Sequence, residues 1–322
     1  MIEYTSPHDN SELILENDHF VSTQNKFIYQ IVDGIPRFVS SENYAKAFGH
    51  EWKSHPLIQF DRITGSDISK SRLERCIGMS LDKIEGQDLL EAGSGAGRFT
   101  DLLVKAKANV HSFDLSIAVE VNKSNIGNMP NYAICQASIN EIPYPDNVFD
   151  IVICIGVLQH TPSPEKSIEA LYKKVKPGGK LVIDNYTYQF SYFTKLASLL
   201  RLYLKEQNPE KSMRIIRKCV KIFFPLHWAV RRFYPFQMIL SRFSPIIFDY
   251  RSYPQLSKEQ HYEWSILETF DILNDYYKHF RTESQIVNVL KRLGAVNIIS
   301  RNTLKEKVLG NGIEATCIKP IT

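Results

Sequence analysis

The residues with the clearest chemical consequence form one run, Leu89-Leu90-Glu91-Ala92-Gly93-Ser94-Gly95-Ala96-Gly97. Glycines that follow a buried strand let the backbone come close to a ligand, and the next helix offers it a positive N-terminus. Nucleotide-binding folds share this device, so the spacing must discriminate. A dinucleotide fingerprint needs G-x-G-x-x-G, whereas Arg98 stands three residues after Gly95. Asp114 lies twenty-three residues beyond Glu91, at the end of the next apolar run. A carboxylate there has two oxygens with which to accept both hydroxyls of a ribose; the plainer reading is a helix N-cap ahead of Ile117. Further on, an apolar run closes in Cys154-Ile155-Gly156-Val157-Leu158-Gln159-His160-Thr161-Pro162. Ligands of open parallel sheets bind beyond the carboxyl ends of the strands, which turns Gln159 and His160 toward a cofactor or an acceptor. Imidazole titrates near neutrality, so His160 is the first candidate for a general base, against a structural histidine packed on Pro162.

Short apolar runs separated by helix-length segments must position these groups. They are Asp88–Ala92, Asn109–Asp114, Tyr132–Gln136, Phe149–Gly156 and Lys180–Asp184, with helices expected near Arg98 and over Ser167–Val175. The alternation predicts an α/β fold, a parallel sheet covered by helices on both faces. Pro177-Gly178-Gly179 reads as a tight turn into the fifth strand. Glu283–Leu293 has the apolar spacing of an amphipathic helix stopped by Gly294. Ala295–Ser300 and Ile313–Ile318, separated by Gly310-Asn311-Gly312, read as a closing antiparallel hairpin.

In this order, the motifs over residues 87–185 resemble the class I S-adenosylmethionine-dependent methyltransferase superfamily, whose first motif is E-x-G-x-G-x-G. The resemblance implies a Rossmann-like seven-stranded sheet of order 3-2-1-4-5-7-6, with the last strand antiparallel. It implies S-adenosylmethionine as cofactor, held by Glu91, Gly93, Gly95, Gly97, Asp114, Gly156 and Gln159. Ala137–Asp150 resembles the stretch that wraps the adenine, and adds Ser138 and Ile139. There the chain departs from the family, because Ser138 stands where an Asp is expected beside Ile142-Pro143. A hydroxyl accepts a hydrogen bond less strongly than a carboxylate. The opening, which closes on Val32-Asp33-Gly34-Ile35-Pro36-Arg37-Phe38, resembles the zinc-ribbon-like segment that precedes some bacterial methyltransferases. The positions of its four thiols are held here by Ser6, Asp9, Ser22 and Asn25, which predicts a metal-free relic.

This gives residues 1–40 as a small N-terminal β segment, 41–86 as a linker and helical cap with a helix over Ser69–Met79, and 87–322 as the methyltransferase domain. A helical, aromatic and basic insertion interrupts that domain after the fifth strand, at about 187–275, broken at Pro209, Pro225, Pro235, Pro245 and Pro254. Between Tyr186 and Phe248 there are eleven Lys or Arg and two acids, Glu206 and Glu210, in a chain whose net charge is +4. The segment reads either as a lid whose cations receive an anionic acceptor, as an amphipathic element on an anionic membrane, or as a helical cap with a solvated basic face. Nucleic acid ranks last, with no RNA-binding motif. Tyr186, Tyr188, His227, His261 and His279 are further acceptor-site candidates, with His279 second to His160 for an acid/base role.

A composition of 43% hydrophobic and 23% charged residues is that of a globular protein. No run approaches the roughly 18 apolar residues of a membrane span, and the polar N-terminus lacks a signal pattern. Five scattered cysteines fit free thiols in the cytoplasm rather than a disulfide or zinc framework, and no metal-ligand spacing appears near the site. The expectation is methyl transfer to the oxygen or nitrogen of a small-molecule, sugar or lipid-linked acceptor. The alternative is a non-catalytic binding or scaffold protein that retains the fold.

Overall fold

A computed structural model describes residues 1–40, 43–189, 195–306, 308, 310 and 312–321. The chain divides into two compact units, one of residues 1–43, 68–187 and 277–322, the other of 44–67 and 188–276. The stretch 41–86 is therefore divided: 44–67 belongs to the second unit and the residues on either side of it to the first.

The first unit opens with four antiparallel strands, β1 (Leu13–Glu16), β2 (His19–Ser22), β3 (Ile28–Val32) and β4 (Ile35–Pro36). Ser6, Asp9, Ser22 and Asn25 converge here on one polar knot. Asp9 accepts hydrogen bonds from Ser11 through Oδ1, and from the Ser22 hydroxyl and the Asn25 backbone and side-chain amides through Oδ2, at 2.8–3.2 Å. The hydroxyl of Ser6 and these donors hold the Asp9 carboxyl well below the usual carboxylate range.

The main sheet contains β5 (Asp88–Ala92), β6 (Asn109–Asp114), β7 (Tyr132–Gln136), β8 (Phe149–Cys154), β9 (Val175–Tyr186), β10 (Val296–Asn302) and β11 (Gly312–Ile318). Its order is β7-β6-β5-β8-β9-β11-β10, with β11 antiparallel to both neighbours. This is the 3-2-1-4-5-7-6 sheet expected from the sequence. Side chains of a strand alternate between faces, and the central strands are apolar on both. Leu90, Val152, Leu181 and Ile183 pack on one side with Ile168 and Leu171 of the helix Pro164–Lys174 and Ile286 and Leu290 of the helix Glu283–Arg292. Leu89, Ile151, Ile153 and Val182 pack on the other with Leu73 and Ile77 of the helix Ile68–Ile77 and Phe99 and Leu103 of the helix Arg98–Lys105. Two buried faces are what a parallel sheet requires. Pro177-Gly178-Gly179 is not a turn ahead of the fifth strand but an irregularity within β9, where the pairing with β8 shifts register. A Cβ on Gly179 would meet the carbonyl oxygens of Asp150 and Lys176 at 2.9 Å, so only glycine fits the bend. The turn residue Asn311 of the β10–β11 hairpin lies outside the described residues.

The second unit is helical. Its core joins Ala197, Leu204, Met213, Ile216, Val220 and Phe224 to Ile246, Ile266, Phe270 and Leu273. Pro209 and Pro235 sit in the first turns of the helices Pro209–Val230 and Tyr234–Phe243, where a missing N–H costs nothing. Pro225 breaks no helix: it lies inside Pro209–Val230, on an exposed position.

Candidate functional site at the carboxyl rim of the sheet

The parallel register brings four loops to one rim. Ala92 pairs with Phe113, Phe113 with Cys135, and Glu91 with Ile153, so the segments after β5, β6, β7 and β8 start side by side. Gly93 N–H and Ser94 N–H both donate to Phe113 O, and Ala137 N–H donates to Asp114 O, at 2.8–3.1 Å.

Gly93, Gly95 and Gly97 all adopt left-handed backbone, with φ of 74°, 52° and 96°. Two of them are also sterically closed. A Cβ on Gly93 would stand 2.3 Å from a Val157 methyl, and one on Gly97 would stand 2.8 Å from Asn122 Oδ1. The glycines thus press the loop against the β8 loop and the helix Ala118–Ile126 that follows β6, and no side chain fills the rim at these positions.

Asp114 organises that rim. Its Oδ2 accepts from Gly95 N–H at 2.9 Å, and its Oδ1 accepts from the backbone and hydroxyl of Ser116 at 2.8 and 2.7 Å. Burial raises its pKa, and these donors oppose the rise. A partly buried carboxylate with two oxygens keeps further acceptor capacity. Ser94, which sequence reasoning passed over, places a buried hydroxyl without a hydrogen-bond partner in the same loop.

Glu91 does not face the rim. It is buried, and its Oε2 accepts from Thr100 Oγ1 at 2.6 Å and Ser112 Oγ at 2.8 Å. Thr100 in turn accepts from Asn122, which accepts from the hydroxyl of Tyr132. The chain of bonds lies beneath the glycine loop, so Glu91 positions the loop rather than touching a ligand. Burial lifts its pKa to about 7. Ser138 is half-buried, and its hydroxyl accepts from Asn140 N–H at 3.2 Å. Ile139 is buried in the core beside Ile142 and Tyr144 and presents almost no surface to a ligand.

On the far side of the rim, Gly156 N–H donates to Asp184 Oδ1 at 2.6 Å, while Arg72 donates to Asp184 Oδ2 at 2.6 Å. This clamp was not legible in the sequence. Gln159 is buried, with its Oε1 lacking a hydrogen-bond partner. His160 stacks edge-on against Tyr186, with ring centroids 5.5 Å apart, and its Nδ1 lies 3.3 Å from Tyr277 O. A proton on Nδ1 makes Nε2 the basic nitrogen.

The structure brings His279 to the same place from more than a hundred residues away. Its backbone N–H donates to Gln159 O at 2.9 Å, and its carbonyl accepts from Asn185 Nδ2 at 3.2 Å. The adjacent Arg281 grips Glu165 through two bonds of 2.6 and 3.0 Å and holds the segment against the helix Pro164–Lys174. Burial and the Arg281 charge lower the His279 pKa, so the ring stays neutral, and its Nε2 is buried without a hydrogen-bond partner. His227 and His261 belong to the helical unit instead. Each is buried against the ring of Phe248, an aromatic packing role. Tyr188 is exposed.

A parallel sheet with an antiparallel last strand, a left-handed glycine loop after its first strand and an acid after its second are features of open α/β sheets that hold nucleotide cofactors at their carboxyl rim. Residues 90–183 match the family model described as methyltransferase domain. Among curated proteins, the chain is 30% identical over 121 residues to the ubiquinone biosynthesis O-methyltransferase of Alkalilimnicola ehrlichii, covering 37% of this chain and 49% of that protein. It is 30% identical over 108 residues to the ubiquinone/menaquinone biosynthesis C-methyltransferase UbiE of Escherichia fergusonii, covering 30% and 42%. The chain thus spans about half the length, or less, of these curated relatives. Among solved structures, a putative S-adenosyl-L-methionine-dependent methyltransferase from Methanococcus maripaludis aligns over 88% of this chain and 98% of its own, with 16% identity and a TM-score of 0.46. Residues 90–183 of the chain thus form a methyltransferase domain, similar to those of S-adenosylmethionine-dependent methyltransferases.

Proposed function

We propose that the protein binds S-adenosylmethionine at the carboxyl rim and transfers its methyl group to an oxygen or nitrogen of a small-molecule, sugar or lipid-linked acceptor in a biosynthetic pathway. The observation that carries this reading is the closed glycine loop. Gly93, Gly95 and Gly97 are all left-handed, Gly93 is packed on Val157 and Gly97 on Asn122, and the backbone of Gly95 is tied to Asp114 Oδ2. That fits a ribose-bearing cofactor, with Asp114 as acceptor for the hydroxyls and Gly156 and Gln159 closing the far side. When bound, the cofactor supplies an activated methyl group on a sulfonium.

The chain's own part is positioning and proton handling. The Arg72–Asp184–Gly156 clamp sets the β8 loop, and the Arg281–Glu165 pair sets His279 beside Gln159. Nε2 of His160 takes a proton from the acceptor, and neutral His279 is the second group able to do so. Five cysteines without disulfides suit a cytoplasmic enzyme.

Calorimetric titration with S-adenosylmethionine and S-adenosylhomocysteine tests the reading, with micromolar binding of both expected. No binding to a folded sample would place a non-catalytic role ahead. Asp114→Ala removes the acceptor and frees Gly95 N–H, and should weaken binding roughly 10- to 100-fold, from about 1.5–3 kcal/mol for bonds to a charged group. His160→Ala should leave cofactor affinity intact and lower turnover about 100-fold or more once an acceptor is in hand; unchanged turnover removes His160 from the mechanism.

A further inference from the structure

The helical unit carries an apolar surface that its own core does not use. The helix Tyr234–Phe243 has no buried residue, although its sequence is Tyr-Pro-Phe-Gln-Met-Ile-Leu-Ser-Arg-Phe. Leu199, Leu202, Phe233, Phe236, Ile239 and Phe243 are each at least 60% exposed. They come from the helix Leu196–Leu204 and from Tyr234–Phe243 with the residue ahead of it, two helices that contact each other, and apolar surface of this kind is rare on a protein that meets only water.

The charges of this segment are predominantly positive. Arg214, Arg217, Lys218 and Lys221 lie on the exposed face of the helix Pro209–Val230, which continues into exposed Ile222 and Leu226. From Tyr186 to Phe248 the net charge is +9, against about −5 for the remainder of the chain. Cations also lie over aromatic rings, Arg231 over Trp228 at 4.1 Å and Arg251 over Tyr234 at 4.0 Å. Among the described residues, no helix is long and apolar enough to cross a membrane.

We infer that this face docks on the surface of an anionic lipid bilayer, with the helix Tyr234–Phe243 at the headgroup boundary and the Arg214–Lys221 face against the lipid charges. Each property has a counterpart in that partner. Exposed Phe, Ile and Met side chains enter the acyl boundary, aromatic rings suit the headgroup level, and the net positive charge matches an anionic leaflet. A second copy of the chain would set +9 against +9, and a nucleic acid has no use for six exposed aliphatic and aromatic side chains away from its bases. The inference stands apart from the methyl-transfer reading, since none of these residues belongs to the rim.

Flotation of the full chain with vesicles of phosphatidylcholine alone, or with phosphatidylglycerol added, tests it. Binding is expected only with the anionic lipid, and it should weaken in high salt. The double variant Phe236→Ser/Ile239→Ser should lose at least about a hundredfold in vesicle affinity. Lys218→Gln/Lys221→Gln should lose roughly thirtyfold. Both should keep the parent's S-adenosylmethionine affinity, which separates failure of the docking from failure of the rim. Equal binding to neutral vesicles, or none to either, overturns the inference. So does a dimer in analytical ultracentrifugation that Phe236→Ser abolishes, or RNA binding that Lys218→Gln/Lys221→Gln removes in a vesicle-indifferent protein.

Discussion

The sheet unit and the helical unit treat their apolar residues in opposite ways. In the sheet, Leu89 and Leu90 point to opposite faces and both vanish into cores, as do Val152 and Ile153. In the helical unit, Phe224 and Phe270 are buried while Phe233, Phe236 and Phe243 face solvent. A central parallel strand has no side that is not core, so its pattern is spent on folding. A helix on a surface needs only one stripe, and what it places elsewhere is available for a partner. The difference teaches where to look for function in each: at the strand ends in the first, on the exposed faces in the second.

The comparison breaks most visibly at Gly93. Gly93→Ala puts a Cβ into Val157 at a φ of 74°, so the loop must move. Cofactor affinity should fall at least about a hundredfold, or ~3 kcal/mol. Val157→Ala in the same chain should recover part of it, as calorimetry would reveal; an unaffected single variant would mean the rim is not packed as described.

Glu91 gives the next largest effect, and its sign is definite. The folded pKa, about 7, lies above the ordinary 4.5, so the folded state holds the proton more tightly than the unfolded chain. Below about 4.5 there is no penalty, stability falls as pH rises between about 4.5 and about 7, and the full penalty of ~3 kcal/mol persists above. Glu91→Gln keeps the shape and lacks the titration. Urea unfolding should therefore find the variant gaining on the parent across that window and level beyond it.

The smallest effect sharpens the contrast within the helical unit. Phe236→Ser removes an aromatic ring that buries almost nothing, so thermal unfolding should shift by no more than about 0.5 kcal/mol equivalent. A loss of several kcal/mol would show that Phe236 is part of a core.

Local sequence carried much of this protein. Asp88–Ala92, Asn109–Asp114 and Tyr132–Gln136 are strands with the bounds read from composition, because a short apolar run between glycines and polar turns has few other places to go. The left-handed glycine loop and the place of Asp114 at a strand end were legible for the same reason: a backbone shape and an adjacent strand end are both encoded within a few residues. Sequence alone misplaced what depends on register or on a neighbour. Pro177-Gly178-Gly179 became a bend inside β9, Pro225 was absorbed by a helix, and Glu91 turned beneath the loop.

Sequence by itself thus determined the strands, the glycine loop and the charge asymmetry, since periodicity, glycine spacing and charge are properties of short segments, while the strand order was implied by the family resemblance. Only the tertiary structure joined Arg72 to Asp184, set His279 beside Gln159, and left the helix Tyr234–Phe243 uncovered. A contact between distant residues leaves no period in the chain, and whether an apolar stripe is buried depends on what packs against it.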